Sequence, residues 1–148
     1  MAQTARDVMT GDVRCIGENE TVSAAAKKLS ELGVGAMPIW GEDDRLKGIL
    51  TDRDIVIKVV ATGNDPDSTT AGELAGGKLV TIGADDSVGE ALQTMNEHKV
   101  ARLPVIDGHS LVGIVSIADL ARNIEDNATD DLVKAMSAAL VEAVSAAP

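Results

Sequence analysis

The pattern of apolar and polar residues predicts the order strand, helix, strand, strand, helix, and the chain carries this order twice. In each copy a helix joins the first two strands, which lets them run parallel, and a short polar turn makes the last two strands antiparallel. Each copy is therefore predicted to form a small mixed sheet with helices on one face, a fold of the α/β (α+β) class. The predicted strands lie at about 13–16, 46–50, 79–82 and 111–115, with further apolar strands ending after 38–39 and 104–105.

Two helices are predicted to begin at the hydroxyl residues Thr21 and Ser87, which suit an N-cap. The apolar residues that follow recur at helical spacing and are expected to face the core. They are Val22, Ala25, Ala26, Leu29 and Leu32 in the first helix and Val88, Ala91, Leu92 and Met95 in the second. A further amphipathic helix is predicted over 129–146, outside both copies, where it is expected either to cover the chain's own core or to join a partner subunit.

Aligning the sequence with itself shows an internal repeat. The offset between the copies is 66 residues up to the strands at 38–39 and 104–105, and it is 65 residues beyond them. Between the copies, the chain is rich in turn-forming residues, which indicates a linker. The chain is therefore divided into repeat 1 (1–62), a linker (63–70), repeat 2 (71–124) and a C-terminal helical tail (125–148).

Each copy ends its last strand in the same corner, a Gly-x-x-[Thr/Ser]-x-x-Asp sequence at 48–54 and again at 113–119. One interpretation is helix capping, with Thr51 and Ser116 as N-caps and the aspartate three residues later accepting backbone N–H groups. The other is a ligand site, in which the helix start attracts a phosphate and Asp54 or Asp119 accepts hydrogen bonds from the two hydroxyls of a ribose. The residues of one corner alone do not separate these readings, although the duplication favours a ligand.

Composition and charge exclude several classes of partner. Trp40 is the only aromatic residue, so stacking on nucleic-acid bases is nearly unavailable. The formal net charge of −11 opposes attraction to nucleic acids and to anionic membranes. No apolar run approaches the roughly 18 residues of a membrane span, and the N-terminus lacks the apolar core of a signal peptide. We therefore expect a cytoplasmic protein that binds neither nucleic acid nor membrane.

The residues that could carry catalysis or bind a metal are few. Cys15 is the only cysteine and is expected to be a small hydrophobe in or beside a buried strand. His98 and His109 lack the spacing of metal ligands, and His98 is expected to cap or flank a helix end. The acidic run at 42–44 is expected to be a charged hairpin turn. Since no nucleophile elbow, Walker A loop or Rossmann glycine motif occurs, we expect no enzyme and no metal site.

The repeated unit, the Pro-Ile or Pro-Val pair in its middle strand and the duplicated corner together resemble tandem cystathionine β-synthase (CBS) domains over residues 5–124. The length and the run Leu-Thr-Asp-Arg-Asp-Ile-Val-Ile-Lys at 50–58 look most like the stand-alone CBS-pair proteins of actinobacteria. The resemblance implies two repeats packed through their sheets as a pseudo-two-fold pair with two clefts. It also implies a homodimer. Unlike many family members, the chain has no attached enzyme, channel or transporter to regulate, so its output is expected to run through an unknown protein partner or through the abundance of the bound ligand.

The ligands that the resemblance implies are adenosine derivatives, so a sensor that binds AMP, ADP or ATP without catalysis is expected. AMP and ADP are favoured because the net charge opposes a triphosphate. The ligand-binding residues carried over are Thr51, Arg53, Asp54, Ala36, Met37 and Pro38 in the first copy and Ser116, Asp119, Ala101, Arg102, Leu103 and Pro104 in the second.

In these implied roles, the two aspartates hold ribose hydroxyls and the two corner hydroxyls face phosphate. Arg102 matches a basic position that meets phosphate in the family, and its equivalent in the first copy is Ala36, so the two sites are expected to be unequal. The alternative function is a ligand-free structural or protein-interaction dimer of the stress-response type with vestigial nucleotide clefts.

Overall fold

The computed structural model describes residues 3–75 and 79–123, which fall into two compact units. The first-repeat unit spans Val13–Leu79, and the second-repeat unit combines Met1–Asp12 with Val80–Pro148. In the described part of the chain, no helix is both long enough and apolar enough to cross a membrane. The helix predicted over 129–146 lies outside the described residues.

The elements follow the predicted order in both copies, and short helices precede each copy. They are α1 (Ala5–Val8), β1 (Ile16–Gly17), α2 (Val22–Leu32), β2 (Ala36–Trp40), β3 (Leu46–Thr51), α3 (Asp52–Ile55), a π-helical turn (Val56–Val60), a 3₁₀-helix (Ala71–Leu74), β4 (Ile82–Gly83), α4 (Val88–His98), β5 (Arg102–Asp107), β6 (Ser110–Ser116) and α5 (Ile117–Asn123).

Each unit contains a three-stranded mixed sheet, which confirms the predicted fold class. In the first-repeat unit β1 runs parallel to β2 and β2 antiparallel to β3, and β4, β5 and β6 repeat this arrangement in the second-repeat unit. The first strand of each sheet is shorter than predicted. Only two residue pairs join β1 to β2, and only two join β4 to β5. Of the apolar runs predicted as strands at 13–16 and 79–82, only the last residue of each therefore pairs in its sheet.

The first-repeat unit is built around α2, whose N-cap Thr21 accepts a hydrogen bond from Ala24 N at 3.1 Å. The predicted core stripe is confirmed at Val22, Ala25 and Leu29, but it is wrong at Ala26 and Leu32, which are exposed. These two residues flank the buried stripe on opposite sides of the helix, so the face that meets the sheet is narrower than the apolar pattern. The buried core comprises Ile16, Val22, Ala25, Leu29, Met37, Ile39, Leu50, Val59, Ala71 and Leu74.

The second-repeat unit is built in the same way around α4, where Ser87 accepts a hydrogen bond from Glu90 N at 3.1 Å. The predicted core residues Ala91, Leu92 and Met95 are buried, and Val88 is half-buried against them. His98 is the last residue of α4, as predicted. The buried core comprises Ala5, Val8, Ile82, Ala84, Ala91, Leu92, Met95, Leu103, Val105, Val115, Ile117 and Leu120.

The segment that precedes each copy packs into the unit of the other copy. Thr4 forms a β-bridge with Ser87, the N-cap of α4, and Thr70 forms the equivalent bridge with Thr21. Thr10 and Ile114 exchange two backbone hydrogen bonds, of 2.9 and 3.0 Å, which form an isolated antiparallel β-bridge at β6. The compact units therefore do not coincide with the sequence repeats. The second-repeat unit contains α1, from the start of repeat 1, and the first-repeat unit contains the 3₁₀-helix, from the start of repeat 2.

Candidate functional site

Both corners form reciprocal capping boxes at the start of a helix. Thr51 Oγ1 accepts a hydrogen bond from Asp54 N, and Asp54 Oδ2 accepts one from Thr51 N, each at 3.0 Å. In the second copy Ser116 Oγ accepts from Asp119 N at 3.1 Å, and Asp119 Oδ2 accepts from Ser116 N at 3.0 Å. The capping interpretation is confirmed for both corners. Each box occupies one carboxylate oxygen and leaves the other, Oδ1, pointing away from the cap.

Strand register places the predicted neighbours directly beside these corners. Ala36 lies opposite Thr51 in the β2–β3 ladder, and Arg102 lies opposite Ser116 in the β5–β6 ladder. The Ala101 carbonyl also accepts a hydrogen bond from Ile117 N at 3.0 Å, which ties the start of α5 to the start of β5. Arg102, the basic residue predicted for the second corner, is therefore the cross-strand neighbour of Ser116. The cross-strand neighbour of Thr51 at the first corner is Ala36, which has only a methyl group.

Four of the six apolar positions carried over from the resemblance are buried. Met37 and Leu103 are 1% and 0% exposed. Pro38 and Pro104, the next residues in the same strands, are also buried. Met37 and Leu103 belong to the cores of their units, so these two positions can meet a ligand only through their backbone atoms.

The two corner carboxylates differ in exposure and in their basic partners. The Asp54 side chain is 26% exposed, and its Oδ1 lies 3.6 Å from Lys58 Nζ, which is longer than a hydrogen bond. The Asp119 side chain is only 7% exposed, and its Oδ1 accepts a hydrogen bond from Arg122 Nη2. Asp54 therefore keeps one oxygen with acceptor capacity, while both oxygens of Asp119 are already bound.

The backbone N–H groups at the first corner are also occupied. Asp52 N donates to the Gly35 carbonyl at 2.9 Å, Arg53 N to Asp52 Oδ1 at 2.8 Å, and Asp54 N to Thr51 Oγ1 at 3.0 Å. A phosphate at this corner would meet the Thr51 hydroxyl, which can still donate, and the exposed Arg53 side chain. A row of free N–H groups, as in a phosphate-binding loop, does not exist at this corner.

Pairing of the corner carboxylates with basic residues is the main site feature that the sequence reasoning missed. Lys58 follows Asp54 by four residues and Arg122 follows Asp119 by three, the spacings at which helical side chains meet. This spacing could have predicted that each aspartate contacts a basic side chain. It does not predict which of the two carboxylates accepts a hydrogen bond from its basic neighbour.

The remaining candidate residues have structural surroundings. Cys15 precedes β1 and is half-buried, and this burial raises the pKa of its thiol, an effect that the nearby charge of Lys28 partly offsets. The acidic run at 42–44 forms the β2–β3 turn, as predicted. There the ammonium of Lys47 lies 2.7 Å from Asp43 and lowers the pKa of that carboxyl. Within 3–75 and 79–123, no three His, Cys, Asp or Glu side chains converge as a metal site.

Comparison with known proteins gives matches over most of the chain. The CBS domain family model matches residues 5–61 and 71–126. Hypoxic response protein 1 of Mycobacterium tuberculosis is 53% identical over 133 residues, which cover 90% of this chain and 93% of that protein. The CBS domain-containing protein YhcV of Bacillus subtilis is 39% identical over 124 residues, with 84% and 87% covered.

Solved structures match the fold as well as the sequence. The crystal structure of Hypoxic Response Protein I with two coordinated zinc ions has a TM-score of 0.74 at 53% identity, covering 83% of this chain and 100% of that one. A hexameric CBS-CP12 protein from bloom-forming cyanobacteria has a TM-score of 0.79 at 27% identity, covering 98% and 87%.

Proposed function

Because this chain belongs to the CBS domain family, as a tandem pair of such domains, we propose that it is a regulatory protein of the hypoxic-response type that binds an adenosine nucleotide reversibly and without turnover. The observation that carries this proposal is the state of Asp54. One of its oxygens caps the helix, while Oδ1 is partly exposed and makes no hydrogen bond with Lys58. A carboxylate in that state can accept hydrogen bonds from the two hydroxyls of a ribose.

The Thr51–Asp54 corner is the better of the two candidate sites for ribose. A ligand at Asp119 has to share Oδ1 with the Arg122 guanidinium or displace it, whereas Oδ1 of Asp54 makes no hydrogen bond with Lys58. The Arg102 side chain beside Ser116 favours phosphate at the second corner, so the features that suit ribose and phosphate are divided between the two copies.

The charge of the chain sets which nucleotide is favoured. A net charge of −11 repels a triphosphate at long range, and the basic residues near the corners, Arg53, Lys58, Arg102 and Arg122, offset this only locally. We therefore expect AMP and ADP to bind more tightly than ATP. Reversible sensing requires partial occupancy, which corresponds to a dissociation constant between about 1 μM and 1 mM.

Zinc, which the structure of the 53% identical relative contains, is not carried over to this chain. A zinc site takes three or four nitrogen, sulfur or carboxylate ligands at about 2.0–2.3 Å. The residues that the structure describes contain no group of three such side chains suited to a metal.

The test is calorimetry with AMP, ADP and ATP on the wild type and on the matched variants Asp54→Asn and Asp119→Asn. Asparagine keeps an oxygen that can cap the helix, so each variant removes the carboxylate charge while preserving the corner. A charged hydrogen bond contributes about 1.5–3 kcal/mol, so Asp54→Asn should weaken AMP binding by about ten- to a hundredfold. Asp119→Asn should leave AMP binding close to that of the wild type.

Melting curves of the same variants separate binding from capping. If both variants bind AMP like the wild type, and AMP raises their melting temperatures as much as that of the wild type, the corner carboxylates serve only as caps. If none of the nucleotides gives heat or raises the melting temperature at millimolar concentration, the ligand-free interaction dimer replaces the sensor. The closed capping boxes in both copies are the observation that favours that second function.

A further inference from the structure

At the second corner, groups of the chain itself bind both oxygens of the carboxylate. Asp119 Oδ2 accepts a hydrogen bond from Ser116 N at 3.0 Å, and Oδ1 accepts one from Arg122 Nη2. The Asp119 side chain is 7% exposed, so water has little access to it. A buried carboxylate is costly unless charged or hydrogen-bonding groups partner it. Arg122 therefore supplies the positive charge that balances this buried carboxylate.

The guanidinium that pairs with this carboxylate lies largely in water. The Arg122 side chain is 67% exposed and reaches Asp119 from the last turn of α5. Other residues anchor α5 in the core, since Ile117 and Leu120 are 7% and 0% exposed. An exposed side chain that leaves an ion pair regains rotational freedom and full hydration. Arg122 can therefore leave Asp119 without any loss of core packing.

The first corner holds the equivalent carboxylate less tightly. Lys58 Nζ lies 3.6 Å from Asp54 Oδ1 and 3.5 Å from the Leu74 carbonyl oxygen, so its charge is shared between two acceptors. The position equivalent to Arg122 is Ile57, which shows that the repeated fold does not require a guanidinium there. The capping boxes are alike in both copies, so the corners differ in the basic side chain at the second carboxylate oxygen.

We propose that Arg122 is an autoinhibitory residue, which occupies the second corner in place of a nucleoside. Its guanidinium competes for the Asp119 oxygen that the hydroxyls of a ribose would use. Without Arg122, that buried oxygen loses its charged partner, and a ribose hydroxyl can replace the lost hydrogen bond. This inference rests on ribose recognition by a corner carboxylate, as the proposed function does, but it concerns the other corner and a different residue.

Adenosine is the probe that isolates this competition. It carries both ribose hydroxyls and no phosphate, so it is uncharged. Neither the net charge of −11 nor the loss of one positive charge in an Arg122 variant therefore changes its long-range attraction to the chain. 2′-Deoxyadenosine keeps the base but lacks one of the two hydroxyls, so it tests whether the pair of hydroxyls is recognised.

The experiment is equilibrium dialysis of the full chain with adenosine, which measures the number of ligands bound per chain at saturation. Arg122→Ala should bind about one adenosine more per chain than the wild type. Arg122→Gln, which keeps a long side chain but removes the charge, should show the same increase. The double variant Arg122→Ala/Asp119→Asn should lose the additional site, and 2′-deoxyadenosine should not fill it. The matched control Arg14→Ala removes an exposed positive charge ahead of β1 and should bind like the wild type.

Each other result overturns the proposal. If the two Arg122 variants bind no more adenosine than the wild type, Arg122 does not close the corner. An additional site that persists in the double variant, or that appears in Arg14→Ala, lies elsewhere. Melting curves show whether each variant is folded, which is expected because Arg122 is exposed. The proposed function fails separately, because a wild type that binds no adenosine contradicts the role of Asp54 even where Arg122→Ala binds one.

Discussion

Asp54 and Asp119 occupy the same position in the two copies, yet different side chains contact them. A lysine ammonium lies 3.6 Å from one carboxylate, whereas an arginine guanidinium bonds directly to the other. Both aspartates cap a helix, so capping alone explains why an aspartate stands at each corner. The second oxygen differs between the corners: Asp54 Oδ1 makes no hydrogen bond with Lys58, whereas Asp119 Oδ1 accepts one from Arg122. The proposed nucleotide binding therefore rests on the state of one oxygen atom, Asp54 Oδ1.

A pH-dependent stability is expected from Asp7, which caps α1. Its Oδ2 accepts hydrogen bonds from Thr4 N at 2.9 Å and Thr4 Oγ1 at 3.1 Å, and these bonds lower the pKa of Asp7. A carboxyl with a lowered folded-state pKa stabilises the fold above its unfolded pKa, near 4, and loses that contribution as the pH falls through the folded pKa. Asp7→Asn should therefore lose less stability than the wild type on acidification from about pH 5 to pH 2.

Urea unfolding midpoints at pH values across this range measure the effect of Asp7→Asn. The matched control is Asp12→Asn, at an exposed position with φ of 51°, a backbone conformation that asparagine also adopts. This control should follow the wild type. An acid-induced loss of stability in Asp7→Asn equal to that of the wild type would show that the Thr4 cap adds nothing.

At the scale of elements, the strand ahead of each corner contains a glycine whose need for space differs between the copies. A Cβ on Gly113 would lie 2.5 Å from Met9 Sδ and 2.7 Å from the Thr10 carbonyl oxygen, because the N-terminal segment crosses β6 there. A Cβ on the equivalent Gly48 would lie 3.3 Å from Ala75 Cβ at its nearest contact. Since backbone cannot yield as a flexible side chain can, only the second copy depends strictly on its glycine.

Gly113→Ala should therefore destabilise the protein by about 1–3 kcal/mol, the usual cost of forcing extra atoms into a packed region. Gly48→Ala, the same substitution at the equivalent position, should change stability by less than about 0.5 kcal/mol. Chemical denaturation of both variants beside the wild type measures the difference. Equal effects at the two positions would mean that the N-terminal segment does not hold its place against β6 in solution.

At the scale of the whole molecule, the exchanged segments make the two copies depend on each other. The core of the first-repeat unit includes Ala71 and Leu74, which lie in repeat 2 by sequence. The core of the second-repeat unit includes Ala5 and Val8, which lie in repeat 1 by sequence. A cut in the linker therefore removes buried residues from both units. The chain is expected to fold as one cooperative unit.

Fragments 1–66 and 67–148 test this dependence. Each lacks a segment that supplies buried residues to the core of its unit, so neither fragment alone should melt cooperatively when followed by circular dichroism. An equimolar mixture supplies both missing segments and should recover a cooperative transition. A fragment 1–66 that melts cooperatively as a monomer would contradict the prediction, since it would show that residues 71–75 are dispensable.

The features that the sequence by itself determined are those set by neighbouring residues. Apolar spacing predicts α2 and α4 because burial of one stripe follows from the helical period. The caps at Thr51 and Ser116 follow from hydroxyl and carboxylate groups three residues apart. Because the sequence repeats, each local prediction applied to both copies. The resemblance to CBS domains identified the family to which the chain belongs.

Tertiary structure decided what depends on residues far apart in the chain. The crossing of the segment around Thr10 onto β6 depends on backbone pairing across more than 100 residues, for which apolar periodicity carries no signal. Leu32 has the same spacing as its buried neighbours, yet it is exposed because the sheet contacts a narrower stripe of α2 than the pattern offers. The spacing of Lys58 and Arg122 predicts contact with the corner aspartates. Only the packing around each carboxylate decided that the Asp54 side chain is 26% exposed and the Asp119 side chain 7% exposed.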